Sequence, residues 1–155
     1  MMAAANRADA TAIVTAARWW LGTPYLHQGS LRGEGADCLG LVRGVWRDVI
    51  GAEPERVIGY TSDWLDTGGG DILLSRLQAH FTKVAPDLAA AGDVVVFRMR
   101  SHGAAKHLGI LSADAGVQGR FIHSYSRRGV VETAMTAGWR RRAVAFFRFP
   151  DRSNS

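Results

Sequence analysis

Ile13, Val14, Ala17, Trp20 and Leu21 recur at helical spacing and predict a helix from about Asn6 or Asp9 to Leu21. Gly22 and Pro24 follow as stop signals. The stretch from Thr23 to Ala36 carries Gly29, Gly33 and Gly35 and reads as a loop. A wider apolar stripe, Leu41, Val42, Val45, Trp46, Val49 and Ile50, predicts a second helix that opens at Asp37 or Cys38 and ends at Gly51. Gly40 and Gly44 lie one turn apart inside it. Each costs about 1 kcal/mol relative to Ala, which close approach of the helix to a sheet would offset. Trp19, Trp20 and Trp46 fall on these helices and are expected in the core.

Residues 51–70 are irregular, and Asp71 is placed to cap a short helix containing Ile72, Leu73, Leu74, Leu77 and Phe81. From Pro86 the pattern changes. Val94–Phe97, His107–Leu111, Phe121–Ser124, Val130–Thr133 and Ala143–Phe149 read as strands, with a turn at Arg127-Arg128-Gly129. Helices first and strands afterwards, on short connections, predict an α+β fold with N-terminal helices packed on a central antiparallel sheet. No repeat or linker interrupts the pattern, so residues 1–155 are expected to form one domain with a core at about 10–149.

Composition narrows this picture. Hydrophobic residues at 47% and charged residues at 21% exclude global disorder. No apolar run approaches the roughly 18 residues of a membrane span, so no membrane insertion is expected. A single cysteine, Cys38, excludes an intramolecular disulfide and a Cys-cluster metal site. With no P-loop, HExxH or paired-carboxylate word, the chain is expected to use no metal and no cofactor. The N-terminus Met-Met-Ala-Ala-Ala-Asn-Arg has no basic segment followed by an apolar one, which predicts synthesis in the cytoplasm without a secretory signal.

The net charge is +5. Between Asp93 and Phe149, ten Lys and Arg face three Asp and Glu, a local excess of +7. Such a segment suits nucleic acid, an anionic surface or an acidic partner. No docking motif for nucleic acid accompanies it, so no specific nucleic acid is expected. The run Arg140–Arg142 reads either as a solvated face or as a contact for an acidic partner or an anionic polymer.

Cys38 at the first turn of a helix has free backbone N–H groups and the helix dipole beside it, which favour a thiolate. A nucleophile there still needs a base. His107 opens a strand, and His123 lies on the next one. If those strands pair antiparallel, both imidazoles can share a face near the Cys38 helix, as nucleophile, base and orienter. Other readings stand beside these. Cys38, His107 and His123 each have a plain core reading, and His102 in Ser-His-Gly is a rival base. Tyr25 either packs or lines the cleft, and Asp37 serves at least as an N-cap. His27 and His80 read as a solvated loop residue and a helix-end residue.

The local words are more specific. Asp37-Cys38-Leu39-Gly40-Leu41-Val42, Ala91-Gly92-Asp93-Val94-Val95-Val96-Phe97, His107-Leu108-Gly109-Ile110 and Phe121-Ile122-His123 resemble, in order, the NlpC/P60 family of cell-wall cysteine peptidases. Leu21-Gly22-Thr23-Pro24-Tyr25 is similar to the family's Gly-x-Pro-Tyr segment. The pattern around Tyr25, Gln28, Gly29, Gly33, Gly35 and Asp37-Cys38, with the later Trp139 and its arginines, resembles the single-domain tail peptidases of phages and gene transfer agents.

The resemblance implies a papain-like fold and hydrolysis of peptidoglycan stem peptides, at the bond between γ-D-glutamate and a diamino acid. It implies Cys38 as nucleophile, His107 as base and His123 as orienter. The Cys38 N–H, with the Tyr25 hydroxyl, would stabilise the oxyanion. Tyr25 and Asp37 would meet the substrate. It further implies tail hub or baseplate proteins as partners, and action in the periplasm or cell wall of a target cell during DNA delivery. Leu39 stands where many relatives carry Ser, which leaves the choice of stem peptide open. The alternative is a catalytically silent domain of the same fold, a structural or wall-binding part of a tail tip.

Overall fold

A computed structural model describes residues 2–54, 72–99, 105–113 and 119–151, with side chains from Asp9 onward. Helix α1 spans Met2–Trp19, starting upstream of the sequence expectation. Ile13, Val14, Ala17 and Trp20 are buried as expected, but Leu21 is exposed and Trp19 is 66% exposed. Neighbours on a helix point about 100° apart, so one of two adjacent indoles must leave the core. Trp20 takes the interior and donates its Nε1–H to Asp48 Oδ2 at 3.1 Å. Trp19 lies outside under the Arg32 guanidinium, 5.1 Å from the ring centroid.

The expected loop at 23–36 contains a small antiparallel hairpin, β1 (Ser30–Leu31) and β2 (Gly35–Ala36). Strands of two residues are too short to show a period, so the sequence did not reveal them. Helix α2 spans Cys38–Val45 and continues as a π-helical turn over Trp46–Ile50. Gly51, at φ 146°, ends it.

The two helical glycines serve close approach, but not to the sheet. A Cβ at Gly44 would enter the Trp20 indole, and one at Gly40 would enter the Gly29 carbonyl. Gly44 therefore seats α2 against the end of α1. Gly40 seats it against the loop that precedes Cys38.

Helix α3 (Ile72–His80) buries Leu73 and Leu77 and ends at His80, one residue short of Phe81, which was expected inside it. The Asp71 cap and the irregular stretch at 55–70 lie outside the described residues. Six strands follow: β3 (Thr82–Val84), β4 (Val94–Phe97), β5 (His107–Ala113), β6 (Arg120–Tyr125), β7 (Gly129–Ala134) and β8 (Ala143–Arg148). They form one antiparallel sheet in the order β3-β8-β4-β5-β6-β7. The short edge strand β3 was not expected. Nor was helix α4 (Ala137–Arg142), which carries the arginine run and is capped by Thr136.

All four residues of β4 are buried because both faces of the sheet are covered. Val94, Val96, Leu108, Ile110 and Ile122 pack with α1 and α2. Val95, Phe97, Leu111 and Phe121 pack on the opposite face with Met135, Phe146 and Trp139. The architecture is α+β, helices on a central antiparallel sheet. Among the described residues no helix is long and apolar enough to cross a membrane.

Candidate active site

The nucleophile candidate is set by its neighbour. Asp37 is extended, at φ −95° and ψ −172°, and caps α2 by accepting the Gly40 N–H at 2.7 Å. Its second oxygen accepts the Gln28 N–H, also at 2.7 Å. Gln28 itself is left-handed, at φ 65°. One buried carboxylate thus clamps the glycine-rich loop to the helix start. Ser124 adds a second tie, donating from β6 to the Ala36 carbonyl at 2.6 Å in the buried interior. A Gly40→Ala protein should therefore be less stable by about 1–3 kcal/mol, because the loop must move off the new methyl. Thermal melting checks this; an unchanged midpoint would mean the loop yields freely.

Cys38 is 7% exposed at the first residue of α2. Burial, and then the Asp37 carboxylate, push its thiol up to about 12, against the backbone N–H groups of Leu108, Leu39 and Cys38 itself. The sequence-based expectation of a thiolate is not met at rest: desolvation outweighs the helix N-terminus. The thiol donates to the Lys106 carbonyl at 3.9 Å. It thus meets the backbone on both sides of His107, at Lys106 and Leu108.

His107 and His123 form a pair, Nε2 to Nδ1, at 2.7 Å. His123 Nε2 then meets Thr133 Oγ1 at 2.9 Å. Both rings lie within an aromatic enclosure. Phe97 stacks on His107 at 5.8 Å, Phe121 lies 4.3 Å from His123, and Tyr125 contacts both. Trp139, carried by α4, packs against both imidazoles at 5.9 and 5.3 Å. Burial lowers the His107 pKa to about 4. Burial, then the charge of His107, lowers that of His123 to about 3. At neutral pH both rings are uncharged.

The two imidazoles share a sheet face, as the spacing predicted, but it is not the face that α2 packs on. Phe97 pairs with His107 in the sheet register, which puts the imidazoles on the side of Phe97 and Phe121. That is the side away from α1 and α2, so the thiol approaches from the helix side at the start of β5. In this resting arrangement the thiol's acceptor is the Lys106 carbonyl and not an imidazole nitrogen.

Tyr25, 38% exposed, bridges to Ala36 beside the nucleophile. Burial, then the charges of Cys38 and Asp37, raise its pKa, which places the hydroxyl at the site. His27, read as a solvated loop residue, stands with Nδ1 3.9 Å from Asp37 Oδ2. His102 lies outside the described residues. Thr133, Ser124 and Lys106 were missed, because only the strand register and a main-chain contact reveal them. Trp139 was singled out only through the family resemblance.

This arrangement can support nucleophilic attack by sulfur with a neutral imidazole as base. Comparison with known proteins accords with it. No curated protein matches the chain. Among solved structures, the NlpC/P60 domain of peptidoglycan hydrolase SagA superposes with a TM-score of 0.59 at 26% identity, covering 89% of this chain and 97% of that one. An NlpC/P60 family protein from Bacillus cereus superposes at 0.64 with 21% identity, and a lipoprotein-like NLP/P60 protein from Staphylococcus aureus at 0.60 with 17%. The chain covers 40% and 42% of those two proteins, while they cover 90% and 94% of it. The sequence pattern of the NlpC/P60 family matches residues 22–148, and the chain belongs to that family.

Proposed function

We propose that the protein is a cysteine peptidase that cuts peptidoglycan stem peptides, at the bond between γ-D-glutamate and a diamino acid. The observation that carries this reading is the buried His107–His123 pair at 2.7 Å, beside a thiol held at a helix start. SagA, a structural relative, is a peptidoglycan hydrolase by name.

In this mechanism Cys38 leaves the Lys106 carbonyl as substrate enters. His107 Nδ1 takes the thiol proton while sulfur bonds to the scissile carbonyl carbon. The Cys38 N–H and the Tyr25 hydroxyl receive the developing oxyanion. His107 returns the proton to the leaving amine nitrogen, and water then cleaves the thioester with the same base. His123 stabilises the imidazolium through the Nε2 bond. Asp37 fixes the nucleophile's helix and lies beside Tyr25 at the substrate's entry.

The arginine-bearing helix and the local sequence words suit a tail component of a phage-like particle that opens the wall during DNA delivery. Hub or baseplate proteins would be its partners. Digestion of purified sacculi, followed by mass spectrometry of the released muropeptides, tests activity and bond together. Release of peptides with a new N-terminus at the diamino acid is the expected result. Intact sacculi with a folded protein would instead favour a silent structural or wall-binding role.

His123 provides a graded check. The expected activity order is wild type, then His123→Asn or His123→Gln, then His123→Ala, with Ala still above Cys38→Ala. Asn and Gln keep one acceptor for His107 and Ala keeps none. Losing orientation alone should cost about 100-fold, the lower part of the range for general-base assistance. Initial rates on a purified stem peptide measure it. Full activity in His123→Ala would reduce His123 to a core residue.

A further inference from the structure

We infer that Thr133 is a positioning residue: its hydroxyl holds the His123 proton on Nε2, and so keeps His107 Nδ1 free to accept the thiol proton. The inference rests on the proposed role of His107 as base.

His123 is 1% exposed, and burial keeps it uncharged at neutral pH. A neutral imidazole carries one ring proton on one of two nitrogens. Both nitrogens of His123 are engaged, Nδ1 with His107 Nε2 at 2.7 Å and Nε2 with Thr133 Oγ1 at 2.9 Å. Only two arrangements satisfy the chain.

In the first, His107 Nε2–H donates to His123 Nδ1, and His123 Nε2–H donates to Thr133. His107 Nδ1 then keeps its lone pair. In the second, Thr133 donates to His123 Nε2, His123 Nδ1–H donates to His107 Nε2, and the His107 proton sits on Nδ1. That second form cannot take a proton from Cys38. The state of the base is therefore decided at the far end of the relay, by whether Thr133 accepts or donates.

The proposed base requires acceptance, and the strand register places the hydroxyl for it. Thr133 pairs with Phe121 across β6 and β7, which puts it on the face of the imidazoles and diagonal to His123. β7 is the outer strand of the sheet, and Thr133 is half-buried there. A hydroxyl has a donor of its own as well as lone pairs, so the half-buried Thr133 can accept from His123 without giving up its own proton to the ring. The β-branched side chain has restricted χ1 freedom, which holds the oxygen in place. Phe121, Tyr125 and Trp139 set the ring's position. Thr133 sets its proton.

The test compares wild type with Thr133→Val, which keeps the shape and removes the hydroxyl, and Thr133→Ser, which keeps the hydroxyl. Stem-peptide kinetics and 15N spectra of the histidine rings are recorded for each. The wild type and Thr133→Ser should show Nε2–H on both His107 and His123. Thr133→Val should move part of the His123 population to Nδ1–H and lower kcat about 10-fold or more with KM held. Thr133→Ser should restore kcat to within about threefold.

Wild-type His123 protonated on Nδ1 would overturn the inference. So would unchanged tautomers and rate in Thr133→Val, or a rate loss that Thr133→Ser fails to restore. Should Thr133→Val fail to fold, Thr133→Ala and the wild-type tautomers decide. A wild type that cleaves no stem peptide counts against the proposed function, while the ring tautomers still judge the placement of the His123 proton.

Discussion

Cys38→Ala should stop cleavage of stem peptides, with loss on the order of 10⁴-fold or more, while the protein stays folded. In the proposed mechanism the sulfur is the one atom that bonds to the substrate, and Cys38 is the only cysteine in the chain, so nothing replaces it. The stability cost is small by comparison. The thiol's hydrogen-bonding contact is a long one, 3.9 Å to the Lys106 carbonyl, and helix α2 is fixed by Asp37 and not by Cys38. Alanine is also well tolerated in a helix. Cys38→Ser should be comparably inactive, because a buried hydroxyl ionises less readily than a thiol. Rates on purified stem peptide, read beside melting curves, separate loss of chemistry from loss of fold. A folded Cys38→Ala protein that keeps more than a few per cent of the rate would remove the nucleophile assigned here.

What the sequence disclosed follows from the length scale of each feature. The helices and most strands carry several apolar positions in period, so Ile13 to Trp20, Leu41 to Ile50 and Val94 to Phe97 announced themselves. Hairpin β1–β2 and strand β3 have two or three residues, too few to set a period. Trp19 misled because adjacency to Trp20 does not say which indole the core takes. The glycines of α2 were read as sheet contacts, yet their neighbours are a loop carbonyl and an indole. That choice depends on how α1 docks.

The candidate site was legible in part. Cys38, His107 and His123 were named from the sequence, and the meeting of the two imidazoles needed only antiparallel pairing of β5 with β6. The charge state of the thiol was not legible. A helix start argues for a thiolate, but the balance is set by burial, which comes from the packed fold. Thr133 was invisible for a further reason. It reaches His123 on a diagonal of strands β6 and β7, and a diagonal exists only once the register is fixed.

His107→Ala should lower kcat/KM by about 10²–10⁴-fold and change the shape of its pH dependence. In the wild type the base must be unprotonated, so the rate should rise through the His107 pKa near 4 and then level out. The thiol sits near 12, so the plateau should extend well into the alkaline range. Without the imidazole only pre-formed thiolate attacks. Its fraction grows tenfold per pH unit below the thiol's pKa, so the variant's rate should climb steadily with pH where the wild type is flat.

Stability sets the window for the measurement. Both histidines have folded pKa values below the ordinary 6.5, so the unfolded chain binds protons first as pH falls. Their contribution to stability is fully present above about pH 6.5 and drains away as pH falls toward 4 and 3. The profile is therefore best read with folding monitored in parallel. A flat profile and near-normal rate in His107→Ala would move the base elsewhere, with His102 next to be replaced. His102→Ala should otherwise be mild, since the His123 partner and the Phe97 stack belong to His107.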